Sequence, residues 1–378
     1  MNIIEKVKQE SKKRKIYIWG ASKTCEKFIE RFQKGDIIVE GVIDSKRVGE
    51  IGGIKIITPE EFEEKKEDTF IVVSVTEQEK LRMKMEECYA GRYIYEGDGI
   101  YIQSLKNNFY GDFYDNEING YLDDCLINLR ACGKIKVGKN VKIGKNVTIT
   151  VGDFSKLIIG DDVTLKDNVI IKVSGDSIAK IGDNVSLGEN VKFRTLNNSV
   201  SNIKRGCRID DESCINVTDD SKLIMGSGCA LKRFQDFYVF KNSEAKFGER
   251  TTLARSNMIH VLDHTKFQCG KDCMFSYKIN IRTLNSHTIF TQNGIKHTKE
   301  SVILGNHVWI GMECILMPGT NIGDCSIVGA STLVNKKIPP HCLVVGTPCR
   351  IMEEGVDWSR KEKIDEEYFM EEVKRREF

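Results

Sequence analysis

The sequence predicts two architectures in one chain: a small alternating α/β domain over residues 1–105, then a long parallel β-helix over residues 134–352. Three observations carry this. Strand and helix signals alternate through the first hundred residues, and aliphatic–Gly–turn units recur through the rest of the chain. Gly is also abundant (32) where Pro is scarce (5). A length of 378 residues fits two or three domains, and 40% hydrophobic with 30% charged residues is ordinary for a soluble chain with a real core.

In the first part, residues 15–19 form a β-type run that ends in Gly20-Ala21-Ser22, and residues 24–32 follow with helical periodicity. A second strand, over residues 37–43, ends at Asp44. Residues 53–57 lead into Thr58-Pro59-Glu60-Glu61-Phe62, a helix cap with Pro in the first turn. Residues 70–75 are a short continuous apolar strand of the kind buried in a parallel sheet. Together these read as a Rossmann-like unit. Residues 106–133 are then a polar linker with a possible helix.

From Lys134 the pattern is repetitive. Val137-Gly138-Lys139-Asn140 is followed directly by Ile143-Gly144-Lys145-Asn146, and similar units start at Ile159, Ile181, Met225, Phe247, Leu304 and Ile322. Starts at 159 and 181, and at 225 and 247, lie 22 apart, and 304 to 322 is 18. An aliphatic residue every six positions, followed by Gly and a turn-former, is the hexapeptide signature of a parallel β-helix. The aliphatic side chain should point inward and stack on its equivalents, with Gly supplying positive φ at the corner. The 22-residue units insert about four residues per coil around Asp176-Ser177, Asp220-Ser221 and Asn242-Ser243. Proline is scarce because ladder strands need their N–H groups. The tail, residues 353–378, reads as an amphipathic helix packed on the solenoid end as a cap.

Composition excludes several functions. Lys plus Arg is 57 and Asp plus Glu is 55, a net charge of +2, which gives no basic footprint for nucleic acid. No apolar run is long enough to span a membrane. The charged N-terminus lacks an apolar signal core, so a cytoplasmic protein is expected. The thirteen cysteines are scattered, and Cys229, Cys269, Cys314 and Cys325 occupy positions where neighbouring units carry small apolar residues. They are expected to be buried, reduced core residues, and no metal is expected.

Residues 275–350 hold an ordered motif set: Arg282-Thr283-Leu284-Asn285-Ser286-His287, then Val308-Trp309-Ile310-Gly311, Gly329-Ala330, Ile338-Pro339-Pro340 and Gly346-Thr347-Pro348-Cys349-Arg350. This set resembles the hexapeptide-repeat acyltransferases, in particular the galactoside, xenobiotic and capsular-polysaccharide O-acetyltransferase group. The resemblance implies a left-handed β-helix, acetyl-CoA as co-substrate, and a homotrimer with active sites between subunits. It makes His287 the catalytic base. A hydroxyl attacking a thioester needs a proton acceptor with a pKa near neutrality, which imidazole supplies. Close relatives often carry Asp two residues before this histidine, where Asn285 stands here. Asn285 can orient the ring by hydrogen bonding but adds no charge. By the same resemblance a backbone N–H near Gly311 and Met312 meets the oxyanion, Trp309 lines the cleft, and pantetheine lies along Gly329 and Ala330. Lys336, Lys337 and Arg350 stand near the coenzyme A phosphates.

An α/β domain ahead of a β-helix also resembles the bacillosamine-type sugar-nucleotide N-acetyltransferases. That likeness implies nucleotide-sugar binding at Gly20, Ser22 and Asp44, although only Gly20 survives of a G-x-G-x-x-G pattern. Acetyl transfer to a sugar hydroxyl in surface-glycan biosynthesis is the function expected. N-acetylation of a nucleotide-linked amino sugar and a catalytically inactive trimeric scaffold are the alternatives. The γ-type carbonic anhydrases share the β-helix and bind zinc through three histidines, but His260 and His264 give H-x3-H where that family has H-x4-H.

Overall fold

The computed structural model describes residues 3–65, 68–74, 93–95, 101–103, 117–118, 125–129, 133–152, 154–285, 287, 289–296, 299–361, 365–368 and 370–371. In the first domain the elements run α1 (Ile3–Glu10), β1 (Lys15–Trp19), α2 (Lys23–Lys34), β2 (Val39–Ile43), β3 (Gly49–Ile51), β4 (Ile54–Ile57), α3 (Pro59–Glu63), β5 (Thr69–Val73) and β6 (Tyr93–Tyr95). They build one sheet in the order β3-β4-β2-β1-β5-β6, parallel except for the β3–β4 pair.

Local chemistry explains the two principal helices. Ser22 caps α2 by accepting the N–H of Cys25, and α2 buries Phe28, Ile29 and Phe32 against one face of the sheet. Thr58 and Glu61 form a reciprocal capping box at α3, with Pro59 in the first turn. Phe62 of α3 is buried on the opposite face, where it meets the rings of Tyr17 and Trp19. With a core on each side, β1 and β5 are apolar throughout most of their length, as a covered parallel sheet requires.

The remainder is a left-handed parallel β-solenoid with three faces. Face 1 begins with the strand Glu117–Ile118 and continues at Lys134–Val137, face 2 begins at Lys142–Ile143, and face 3 runs on from Cys125–Leu129 to Val147–Val151. Parallel pairing therefore starts ahead of Lys134, inside the stretch read from sequence as a linker. A helix in that stretch would lie outside the described residues.

Registers follow the repeat. Lys134, Lys156, Ile178, Val200, Lys222, Glu244 and Lys266 align at steps of 22. Ile303 then aligns with Asn321, and Asn321 with Lys337, so the last coils are shorter. The inward positions form one continuous core that includes Ile135, Leu157, Ala179, Leu223 and Phe267. Burying each large aliphatic contributes roughly 1.5–3 kcal/mol.

The corner glycines act differently from the sequence expectation. Gly138, Gly144, Gly160 and Gly311 do not have positive φ; the left-handed residues stand two positions later, at Asn140, Asn146, Asp162 and Glu313. A Cβ on Gly226 would lie 2.6 Å from the N of Glu249 in the next coil. Glycine is needed there for close approach between coils, and Asn or Asp supplies the left-handed turn.

Two further expectations change. Cys229, Cys269 and Cys314 are buried and free, but Cys325 is only half-buried, at a corner with φ +59°. A corner residue in that conformation projects from the wall and does not fill the core. The tail also departs from the predicted cap. Residues 356–360 are extended along the edge between faces 1 and 2, and helical residues are described only at 366–368 and 370–371.

The first domain meets the solenoid at the edge between faces 3 and 1. Arg31 of α2 pairs with Asp176 and lies over the ring of Phe154, which meets Phe28 edge-on at 5.1 Å.

Candidate active site

His287 stands on the edge between faces 3 and 1. The strand Asn280–Arg282 closes face 3, and Thr283 then turns into the core, where its Oγ1 accepts from Leu262 N (3.0 Å) and Thr265 Oγ1 (2.5 Å). Leu284 pairs with Lys299 in an antiparallel bridge, so the chain leaves the wall and returns at one point. The excursion between them holds half-buried Asn285, exposed His287, and a hairpin of Ile289–Thr291 with Gly294–Lys296. Among the described residues nothing hydrogen-bonds the His287 ring, Asn285 included. The excursion exposes Ile289 (44%), Phe290 (80%) and Ile295 (61%).

The base of the excursion is electrostatically pinned. Asp263, at the same edge one coil earlier, accepts from Lys241 (2.9 Å) and Lys299 (3.1 Å). Hydrogen bonds from Lys241 and then Lys299 hold its carboxyl below the ordinary carboxylate range. Lys336 and Lys337 are exposed on this edge, two coils beyond His287.

Gly311, Met312, Gly329 and Ala330 stand on a different edge, between faces 2 and 3. The Gly311 N–H is committed to Val328 O at 2.7 Å, so of the two groups expected near an oxyanion it is not the donor. A Cβ on Gly311 would lie 2.7 Å from Ala330 N, and one on Gly329 would lie 2.7 Å from Val345 Cγ1. Lower on this edge, two positions equivalent to Met312 are capped by the next coil: Lys145 N donates to Asp167 Oδ1 and Glu189 N to Asp211 Oδ1, both at 2.9 Å. Among the described residues the equivalent N–H groups of Asp167, Asp211, Arg233, Arg255 and Tyr277 have no partner. At Met312 the facing residue is Ala330, which has no acceptor. Among the described residues the Met312 N–H has no partner.

Trp309 points outward on face 2, with its Nε1 3.4 Å from Ser276 Oγ and its ring 6.0 Å from that of Trp358. Arg350 is exposed on the antiparallel strand Arg350–Glu354, opposite Val345. Sequence reasoning missed Trp358, which is 7% exposed. The only signal for it was an aromatic residue in a charged tail.

The candidate residues therefore fall into two groups on one chain. His287 with Lys336 and Lys337 lies at one border of face 3, and Met312 with Gly329 and Ala330 lies at the other.

In the first domain the Gly20–Ser22 turn and Asp44 do come together. Asp44 Oδ2 accepts from Ala21 N, and Oδ1 from Lys46 N and Arg47 N, at 2.8, 2.8 and 3.0 Å. Burial acts to raise the Asp44 pKa, but these three N–H groups and the Arg47 charge outweigh it and leave the carboxyl below its ordinary range. Ser22 Oγ donates to Ser74 O, and Ser74 Oγ to Gly20 O, at the carboxyl ends of β1 and β5 where the strand order reverses. Asp44 is thus a brace for the turn.

The three histidines of the carbonic anhydrase alternative are dispersed. His260 contacts Asp236 and His264 lies near Asp263. Among the described residues they form no group with ligand spacing.

Residues 12–93 match the family model "C2185-like, N-terminal". The chain is 26% identical over 132 residues to the polysialic acid O-acetyltransferase of Escherichia coli O1:K1 / APEC, covering 34% of this chain and 43% of that protein. It is 45% identical over 53 residues to the galactoside O-acetyltransferase of Escherichia coli strain K12, covering 14% and 26%. The aligned segments thus span less than half the length of these two relatives. Among solved structures, the polySia-specific acetyltransferase NeuO aligns at 22% identity and a TM-score of 0.38, over 67% of this chain and all of that one. Behind the stretch that matches the C2185-like N-terminal model, the solenoid is similar over its motif-bearing segment to hexapeptide-repeat acetyltransferases.

Proposed function

We propose that this protein transfers an acetyl group from acetyl-CoA to a sugar hydroxyl of a cell-surface glycan, using His287 as general base. The observation that carries the reading is the uncapped Met312 N–H on the edge that also holds Gly329 and Ala330. Carboxylates close two of the equivalent N–H groups on this edge, at Lys145 and Glu189, whereas the Met312 donor is left open and stands beside Gly329 and Ala330. The acceptor hydroxyl oxygen attacks the thioester carbonyl carbon as its proton passes to the His287 imidazole. The oxyanion of the tetrahedral intermediate receives the Met312 N–H. Collapse breaks the C–S bond, and the proton held by His287 passes to the departing thiolate. Acceptor and thioester react directly, with no acyl-enzyme.

The two groups border one face from opposite sides, so each reaction site uses His287 of one copy and the Met312 edge of another. A closed homotrimer satisfies this with one site per interface. The exposed apolar hairpin at 289–296 would pack on the neighbouring copy. Named relatives act on polysialic acid and galactosides, which supports a carbohydrate acceptor.

His287→Ala tests the base. Turnover should fall by roughly two to four orders of magnitude with little change in the KM for acetyl-CoA. Near-normal turnover would remove His287 from this role. The second reading, N-acetylation of a nucleotide-linked sugar, draws on Ser22 and Ser74 standing where the strand order reverses. Calorimetric titration with UDP- and dTDP-sugars separates the two readings: saturable binding lost on Ser22→Trp substitution would favour the nucleotide sugar.

A further inference from the structure

The corner between faces 1 and 2 presents one left-handed residue per coil. In the first coils it is Asn140, Asp162 and Asn184, ordinary turn-formers. In the last coils it becomes His307, Cys325 and His341, with φ between +53° and +59°. Cysteine has no turn-forming advantage in that conformation, so a thiol there calls for another reason.

The extended tail supplies one. Val356 pairs with His341 through its N–H (3.0 Å), and its carbonyl lies 3.2 Å from His341 Nδ1. Trp358 stacks on His307 at 4.1 Å, and its Nε1 donates to His307 O at 2.7 Å. Arg360 reaches Asp272 Oδ1 and Thr252 Oγ1, both at 2.9 Å. Between these anchors, the Cys325 Sγ, a His341 ring nitrogen and an Asp357 carboxylate oxygen all lie within 4.8 Å of one another. Two come from successive coils and the third from the tail.

We propose that Cys325, His341 and Asp357 hold one divalent cation of the zinc class, which clamps the tail to the solenoid. Thiolate, imidazole and carboxylate are the donors zinc takes in tetrahedral sites, at bond lengths of about 2.0–2.3 Å. Ligand atoms around such an ion stand roughly 3.5 Å apart, so closing this group requires side-chain movements of about an ångström. Cys325 binds as the thiolate and its proton passes to solvent. Donation from His341 Nδ1 to the Val356 carbonyl fixes the tautomer in which Nε2 is the metal-binding nitrogen. His307 is not needed as a ligand, because Nδ1 is engaged by Asp272 (2.8 Å) and Nε2 by Trp358 O (2.9 Å). The ion secures the segment that carries Trp358 against Trp309, so the site is structural and independent of the reaction assigned to His287.

The test uses full-length protein dialysed against a chelator and titrated with Co²⁺ or Zn²⁺. About one equivalent should bind per chain, with a cobalt–thiolate charge-transfer band. Cys325→Ser should abolish the band, and His341→Ala and Asp357→Asn should each weaken binding more than about tenfold. Cys214→Ser should keep the band, since Cys214 is the other half-buried cysteine among the described residues. Amides of residues 356–361 should exchange faster when the metal is removed. Binding well below one equivalent, or a band that survives Cys325→Ser, would overturn the proposal. So would unchanged affinity in Asp357→Asn, a tail variant that leaves the solenoid wall intact.

Discussion

At the scale of single residues, the Met312 corner combines an uncapped N–H with the neighbouring Gly329 and Ala330, and Ala330 of the next coil offers it no acceptor. Lys145 and Glu189 show what a carboxylate at that position does: it accepts the corner N–H and seals the wall. Ala330→Asp should therefore close the donor proposed for the oxyanion. We expect turnover to fall by about 10²–10³, the cost of losing one such donor, while the melting temperature holds or rises. Retained turnover at unchanged stability would take Met312 out of the mechanism. Asp44 allows a second test at this scale, with a sign set by its lowered pKa. Its contribution to stability is fully present above the ordinary value of 3.8 and is lost as pH falls through the lower folded value. The stability difference between wild type and Asp44→Asn, followed by hydrogen exchange across residues 15–50, should shrink between pH 6 and roughly pH 3. A pH-independent difference would mean that the charge of Asp44 does not brace the turn.

At the scale of elements, the repeat could be read from sequence because each coil solves the same packing problem. An inward aliphatic at every sixth residue fixes register, and steps of 22 reappear in the pairing from Lys134 to Lys266. The strands of the first domain and the Thr58 cap were legible for the same reason, since Thr58 acts on the adjacent turn, whereas the Ser22 cap emerged only in the structure. Elements held by distant partners were not legible. The tail at 356–360 is extended because His307, His341 and Asp272 receive it, residues 15 to 88 positions away. Its charged sequence pattern alone suggested a helix. Cys325 misled for a related reason: its spacing matches core cysteines such as Cys314, but it falls on the corner, and corner and wall differ by one or two positions. The hairpin at 289–296 lies outside the period altogether, so the pattern that organises the solenoid had nothing to say about it.

At the scale of the whole molecule, the placement of the candidate residues means that the proposed reaction needs two copies of the chain. His287 and Met312 lie on opposite borders of face 3, and a single copy does not bring them together. This yields a prediction that stability or substrate-binding data on one variant cannot mimic. His287→Ala and Ala330→Asp should each be inactive as homo-oligomers, because every site then lacks either its base or its donor. When the two variants are co-expressed and mix at random, a site draws His287 from one copy and the Met312 edge from a neighbour. About one site in four then receives both intact halves, so mixed oligomers should regain roughly a quarter of wild-type turnover. Placing both substitutions in one chain and co-expressing it with wild type should leave the same fraction, about one in four, while the double variant alone stays inactive. If each site were built within one chain, mixing the single variants would restore nothing, whereas mixing the double variant with wild type would retain about half. Light scattering of the purified mixtures, with the two variants carrying different tags, establishes that hybrids formed. Inactive hybrids of the single variants would place the whole reaction on one copy and require a closed path between two edges that the fold keeps apart.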